Sequence, residues 1–126
     1  MDSMGHVNNA CYFTYCESAR MRYFRAVGMD EHREGDRFGP ALVAAHLNFR
    51  QQVRYPAELA VETRVSEIGR TSFRMEYTVV AVGEGEGGAP VADGFGVIVW
   101  VDYGSGRPTP LPEGLAGAIR SFEGME

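Results

Sequence analysis

The apolar residues of this chain follow two different spacings, which divide the sequence into an N-terminal helix and a set of strands. In the first 28 residues, apolar positions recur every three or four residues, the spacing of a helix with one buried face. Asn8 or Asn9 can cap the first helical turn, and Gly28 is a natural stop. The pattern therefore predicts one long helix over residues 9 to about 27, and its buried face comprises Tyr12, Cys16, Ala19, Tyr23 and Val27, with Phe13 and Phe24 beside them.

Beyond this helix the apolar positions alternate or form short runs, as they do in β-strands. Residues 59–66 and 73–79 alternate on either side of a turn at Gly69, which predicts an antiparallel hairpin. Denser runs at residues 41–49 and 91–101 predict two further strands. Gly94 and Gly96 interrupt the second run, as expected for a bulge or a close approach of a neighbouring backbone.

Three segments lie between or after these elements. Residues 29–39 are charged and turn-rich and predict a solvated loop with His32 at the surface. Residues 83–90 carry almost no side chains that can pack and predict a flexible loop. Residues 112–122 have the spacing of a short helix. One helix and four antiparallel strands make an α+β pattern in which the sheet must cover the helix.

Composition limits the function classes. A chain of 126 residues predicts a single domain, and the net charge of −5 without a basic cluster argues against nucleic acid and against an anionic membrane surface. There is no signal peptide and no long apolar run, so we expect a cytoplasmic protein with reduced thiols. Cys11 and Cys16 lie about 140° apart around the predicted helix and should not bridge each other.

The residues that can carry chemistry stand directly before the helix. Asp2, His6 and Asn9 lie within a turn that Gly5 permits, and this turn delivers them to the helix N-terminus. Free amides at a helix N-terminus can hold a carbonyl oxygen as it becomes negative, while a carboxylate acts on the same carbon. This arrangement is typical of acyl transfer.

The same residues resemble a known signature. Asp-x-x-Gly-His-Val-Asn-Asn-x-x-Tyr from Asp2 to Tyr12, with Glu17 and Arg20 further along, is similar to the motif of the hotdog-fold acyl-CoA thioesterases. The nearest branch is the 4-hydroxybenzoyl-CoA thioesterase (4HBT) family, which also holds long-chain acyl-CoA thioesterases. Residues 53–59, 68–73 and 107–112 resemble later parts of that family.

The resemblance implies a hotdog fold, a curved antiparallel sheet wrapped around the long helix, with its first strand missing because only Met1 precedes the motif. It also implies hydrolysis of an acyl-CoA thioester, with Asp2 as general base or nucleophile and the Asn9 amide in the oxyanion hole. The turn Gly69, Arg70, Thr71 and Ser72 resembles the part near coenzyme A. The family forms homodimers or homotetramers with active sites at the subunit interface, and we expect no cofactor and no metal.

Each candidate also has a purely structural interpretation. Asp2 and Asn9 can interact with the helix end without catalysis, and we favour a role for His6 in fixing the turn. An exposed hairpin turn would use the same residues 69–72. Packing explains His46 better than function does, and Glu17 and Arg20 can pair along the helix. The alternative to an enzyme is a non-catalytic acyl-CoA binding or regulatory module.

Overall fold

A computed structural model describes residues 9–50, 58–82 and 90–125, in which a long helix lies against one antiparallel sheet. This confirms the predicted α+β class. In chain order the elements are helix α1 (Asn9–Ala26), strands β1 (Phe38–Phe49), β2 (Glu58–Ile68), β3 (Ser72–Val82) and β4 (Pro90–Asp102), the two-residue strand β5 (Arg107–Pro108) and helix α2 (Glu113–Glu123).

The four long strands lie in the order β1-β4-β3-β2, and every neighbouring pair is antiparallel. The hairpin of β2 and β3 is confirmed, with Ile68 opposite Phe73. Strand β5 pairs with the end of β4. Strands β1 and β2 follow each other in the sequence yet form the two opposite edges, so the inner strands are β3 and β4.

The core lies between α1 and the inner face of the sheet. The alternation predicted for β3 is confirmed, since Phe73, Met75, Tyr77 and Val79 are all buried. Of the predicted helix face, Phe13 departs most, at 44% exposure, and its ring meets that of Phe49. Each fully buried large side chain contributes roughly 1.5–3 kcal/mol. The core residues of the two helices are Tyr12, Cys16, Tyr23 and Phe24 from α1 and Leu115 and Ile119 from α2, and Val27 directly after α1 joins them.

Helix α1 ends where the sequence predicts, because Gly28 adopts a left-handed conformation with φ 69°. The prediction of a solvated loop after it is wrong in three places. Met29 is buried at the start of a short 3-10 helix (Met29–His32), and β1 begins at Phe38. His32 is half-buried rather than at the surface, because its imidazole lies over Gly114 of α2.

The prediction of a close approach at Gly94 is confirmed. Gly94 pairs with Leu47 of β1, and a Cβ atom at Gly94 would overlap the carbonyl oxygen of His46. The edge strand β1 and the inner strand β4 can therefore meet here only with glycine. Cys11 and Cys16 are both free, as predicted. The predicted loop at residues 83–90 lies outside the described residues except for Pro90.

Candidate active site

The predicted catalytic residues are placed only in part. Asp2 and His6 lie outside the described residues, whereas Asn9 is the first residue of α1. The first turn of α1 lies near the end of β1, since the Tyr12 and Phe49 ring centroids are 5.5 Å apart. The N–H groups of a first helical turn have no partners within the helix. This end of the sheet therefore carries amide donors that helix α1 itself does not pair.

The turn at Gly69–Ser72 lies at the other end of the sheet. Phe73 follows this turn, and its ring is 6.2 Å from that of Phe24 near the end of α1. Val79 of β3 lies level with Phe49, because both pair with Ala92 of β4. Val79 is six residues, or about 20 Å of strand, from Phe73. Within one chain, the structure thus keeps the turn away from Asn9.

The backbone of this turn is engaged in local contacts. The Gly69 amide donates to the Ser72 carbonyl at 2.7 Å, which closes the turn. The Arg70 carbonyl accepts from Leu111 at 2.9 Å, and the Thr71 carbonyl accepts from Trp100 at 2.8 Å. The Arg70 side chain itself is exposed.

A cavity of about 150 Å³ opens between α1 and the β1 side of the sheet. It exists because α1 packs mainly over β2, which leaves the inner face of β1 partly uncovered. Gly96 leaves room for two of the lining residues, since a Cβ there would lie 3.1 Å from the Tyr77 hydroxyl and 3.2 Å from Leu42 Cδ1. The side chains lining the cavity include Phe13, Cys16, Glu17, Arg20, Leu42 and Tyr77.

The buried guanidinium of Arg20 is the feature of this cavity that the sequence interpretation missed. Arg20 is only 9% exposed, and its Nη1 donates to the Tyr77 hydroxyl at 3.1 Å. Its predicted pairing with Glu17 is wrong, because in the described part of the chain no ion pair joins the two. Helical spacing could have indicated that Arg20 is buried, since Arg20 follows the buried Cys16 by one turn on the same face.

Burial raises the pKa values of the two titratable side chains next to Arg20. It raises the pKa of the Cys16 thiol to about 11, although the nearby Arg20 charge acts in the opposite direction. Burial also raises the pKa of Tyr77, again against the effect of the Arg20 hydrogen bond. Both groups are therefore neutral near pH 7, and Arg20 supplies the positive charge here.

His46 is an exposed residue of β1 that also borders the cavity. Its imidazole stacks on Phe95 at 5.7 Å and shares a 2.9 Å hydrogen bond with the Asn48 side chain. The Arg74 guanidinium covers the same Phe95 ring at 3.9 Å. These contacts agree with the packing role predicted for His46. Among the residues that the structure describes, no group of three or more His, Cys, Asp or Glu side chains could hold a metal ion.

Comparisons with known proteins relate this chain to thioesterases. The family model of the thioesterase-like superfamily matches residues 1–119. Two chloroplastic acyl-acyl carrier protein thioesterases of Arabidopsis thaliana, ATL2 and ATL3, are 30% and 26% identical over 98% and 97% of the chain. The chain spans only 64% and 63% of the lengths of these curated relatives.

Solved structures agree with this relationship. A thioesterase from Thermus thermophilus, complexed with coenzyme A and Zn, is 37% identical, with a TM-score of 0.82 over 100% of this chain and 87% of its own. A putative thioesterase from Pseudomonas aeruginosa is 33% identical, with a TM-score of 0.81 over 94% of this chain and 88% of its own.

Neither described α-helix combines the length and the apolar character that a membrane-spanning helix needs.

Proposed function

This chain belongs to the thioesterase-like superfamily, and from that premise we propose that it hydrolyses an acyl thioester. The oxygen of a water molecule bonds to the carbonyl carbon, the carbon–sulfur bond breaks, and the products are a carboxylic acid and a free thiol. The observation that carries the proposal is the position of the helix N-terminus. Helix α1 begins at Asn9, directly after the Asp-x-x-Gly-His motif, and lines the cavity from Phe13 onward.

The roles of individual residues follow from this chemistry. Asp2 acts as general base on water or as nucleophile on the carbonyl carbon. The Asn9 amide and its neighbours in the first turn hold the oxygen as it becomes negative, helped by the positive end of the helix dipole. His6 supports the turn that carries Asp2.

We propose coenzyme A as the carrier of the acyl group. The Thermus thermophilus thioesterase, which was solved with coenzyme A bound, is more similar in sequence than the Arabidopsis acyl-acyl carrier protein thioesterases. Arg70 in the turn at Gly69–Ser72 suits coenzyme A, because a guanidinium can pair two phosphate oxygens at once. That turn is distant from Asn9 of the same chain, so its contribution requires a second copy.

The free edge of β1 supports a homodimer. Within the described residues, β1 pairs only with β4, which leaves twelve residues of strand unpaired on one side. Val43 and Leu42 on this strand are 59% and 44% exposed. A long, apolar, exposed edge strand is a template for pairing with another chain. The cavity is lined by the same strand, so the active site would lie at the subunit interface.

The test is release of free thiol from short, long and aromatic acyl-CoAs by the wild-type protein and Asp2→Asn. We expect kcat/KM to fall by about a hundredfold or more in Asp2→Asn, the scale of a lost general base. The matched control is Asp30→Asn, because the Asp30 side chain is 91% exposed after the far end of α1. Acyl-CoA binding without turnover by the wild type would instead identify a non-catalytic binding module.

A further inference from the structure

The cavity beside α1 contains a positive charge that the proposed hydrolysis does not use. Arg20 is nine-tenths buried, and its guanidinium carries a positive charge. None of the ion pairs among the described residues includes it, and its contact there is the neutral Tyr77 hydroxyl. Burying a cation without a counter-ion is unfavourable. The inner end of the cavity is therefore suited to an anion.

We propose that Arg20 and Tyr77 form the distal end of the acyl pocket and select acyl groups that carry a second carboxylate opposite the thioester. This inference rests on the proposed function, since it concerns the acyl group of the same thioester. A guanidinium pairs with a carboxylate through two parallel hydrogen bonds. The Tyr77 hydroxyl, 3.1 Å from Arg20 Nη1, orients that guanidinium.

The dimensions of the cavity limit the length of this group. Arg20 lies eleven residues after Asn9, about 16 Å along the helix axis, and its long side chain leans back toward the helix N-terminus. The gap between the start of the helix and the guanidinium is then roughly 10 Å, which suits a chain of about six carbons or a benzoyl ring. A cavity of about 150 Å³ is large enough to hold one such ring.

Glu17 is the other charged residue lining the cavity. It lies one turn nearer the helix N-terminus and is exposed, so water screens its charge. Arg20 is buried, and its field is screened much less. An anionic end group is consequently repelled only weakly by Glu17 and attracted more strongly by Arg20, which places the terminal carboxylate at Arg20.

The experiment compares adipoyl-CoA with hexanoyl-CoA, which have the same number of acyl carbons and differ only in the terminal carboxylate. We expect the wild type to favour adipoyl-CoA in kcat/KM by about tenfold or more, the effect of one hydrogen-bonded ion pair. Arg20→Gln should abolish most of this preference, and Tyr77→Phe should reduce it. Arg22→Gln is the matched control, because Arg22 is exposed on the opposite side of the same helix.

Binding of the two corresponding non-hydrolysable acyl-CoA thioethers, measured by calorimetry, separates this inference from the proposed function. Preference for the adipoyl thioether without turnover of any thioester would retain the pocket and reject hydrolysis. Turnover with equal affinity for both thioethers would retain hydrolysis and reject the pocket. The preference of the wild type between the two substrates tests the inference even if Arg20→Gln does not fold. A wild-type preference for hexanoyl-CoA would overturn the inference.

Discussion

Replacing Gly94 by alanine should destabilise this protein strongly, whereas the same replacement at Gly117 should stabilise it. A Cβ atom at Gly94 would overlap the His46 carbonyl oxygen and lie 2.8 Å from the His46 carbonyl carbon and 2.9 Å from Leu47 Cα. All three atoms belong to the backbone of β1, so no side-chain rotation relieves the overlap. Strand β1 must move away from β4.

The magnitude follows from what this movement disrupts. Overpacking alone costs about 1–3 kcal/mol, and each weakened ladder hydrogen bond costs about 0.5–1.5 kcal/mol more. We therefore expect Gly94→Ala to lose about 3 kcal/mol of unfolding free energy, or roughly 10 °C in Tm. Gly117 is exposed inside α2, and nothing lies within 4 Å of its Cβ position. Alanine there should gain about 0.5–1 kcal/mol, because it loses less backbone entropy than glycine.

Urea unfolding at one fixed protein concentration measures both variants, since association changes the apparent stability. The reasoning predicts midpoints that move in opposite directions for the same chemical change. A Gly94→Ala protein within about 1 kcal/mol of the wild type would refute it, because β1 would then tolerate a side chain against its backbone. The Gly117→Ala result shows whether alanine is otherwise tolerated.

Three further predictions concern a thiol, a helix end and the free edge of the sheet. In a Cys11→Ser background, Cys16 of the folded protein should react with Ellman's reagent at pH 8 about a hundredfold more slowly than Cys16 of the unfolded protein. The reason is that burial raises the pKa of Cys16 to about 11, and the thiolate is the reactive form. Equal rates would contradict this prediction. Glu123→Ala should lower the free energy of unfolding in urea by about 2–3 kcal/mol, because Glu123 Oε2 accepts hydrogen bonds from the Tyr23 hydroxyl at 2.6 Å and the Val65 amide at 2.8 Å. The control Glu34→Ala, at an exposed position, should change it little. Equal losses in the two variants would exclude a specific role for Glu123. Val43→Arg should increase the monomer fraction in analytical ultracentrifugation, whereas Ala26→Arg at an exposed position should not; an unchanged distribution would place the interface elsewhere.

Periodicity predicted the elements well, because each depends on residues close together in the sequence. Strand β3 shows this, since its alternation from Phe73 to Val79 matches its buried face. The segment after α1 was harder, because Met29 is buried in the core and His32 packs over Gly114 of α2, which is distant in the sequence. Local charge gave no indication of either contact.

The candidate site likewise has parts that local sequence determines and parts that depend on distant residues. The motif from Asp2 to Asn9 and the start of α1 are local features, so the sequence by itself determined the helix, the antiparallel strands and the resemblance to thioesterases. Tertiary structure alone decided that β1 lies beside β4, that α1 leaves a cavity next to it, and that Arg20 is buried against Tyr77. The physical reason is that burial and strand pairing bring together residues that are distant in the sequence. Arg20 and Tyr77, for example, are 57 residues apart, and no local sequence pattern specifies their contact.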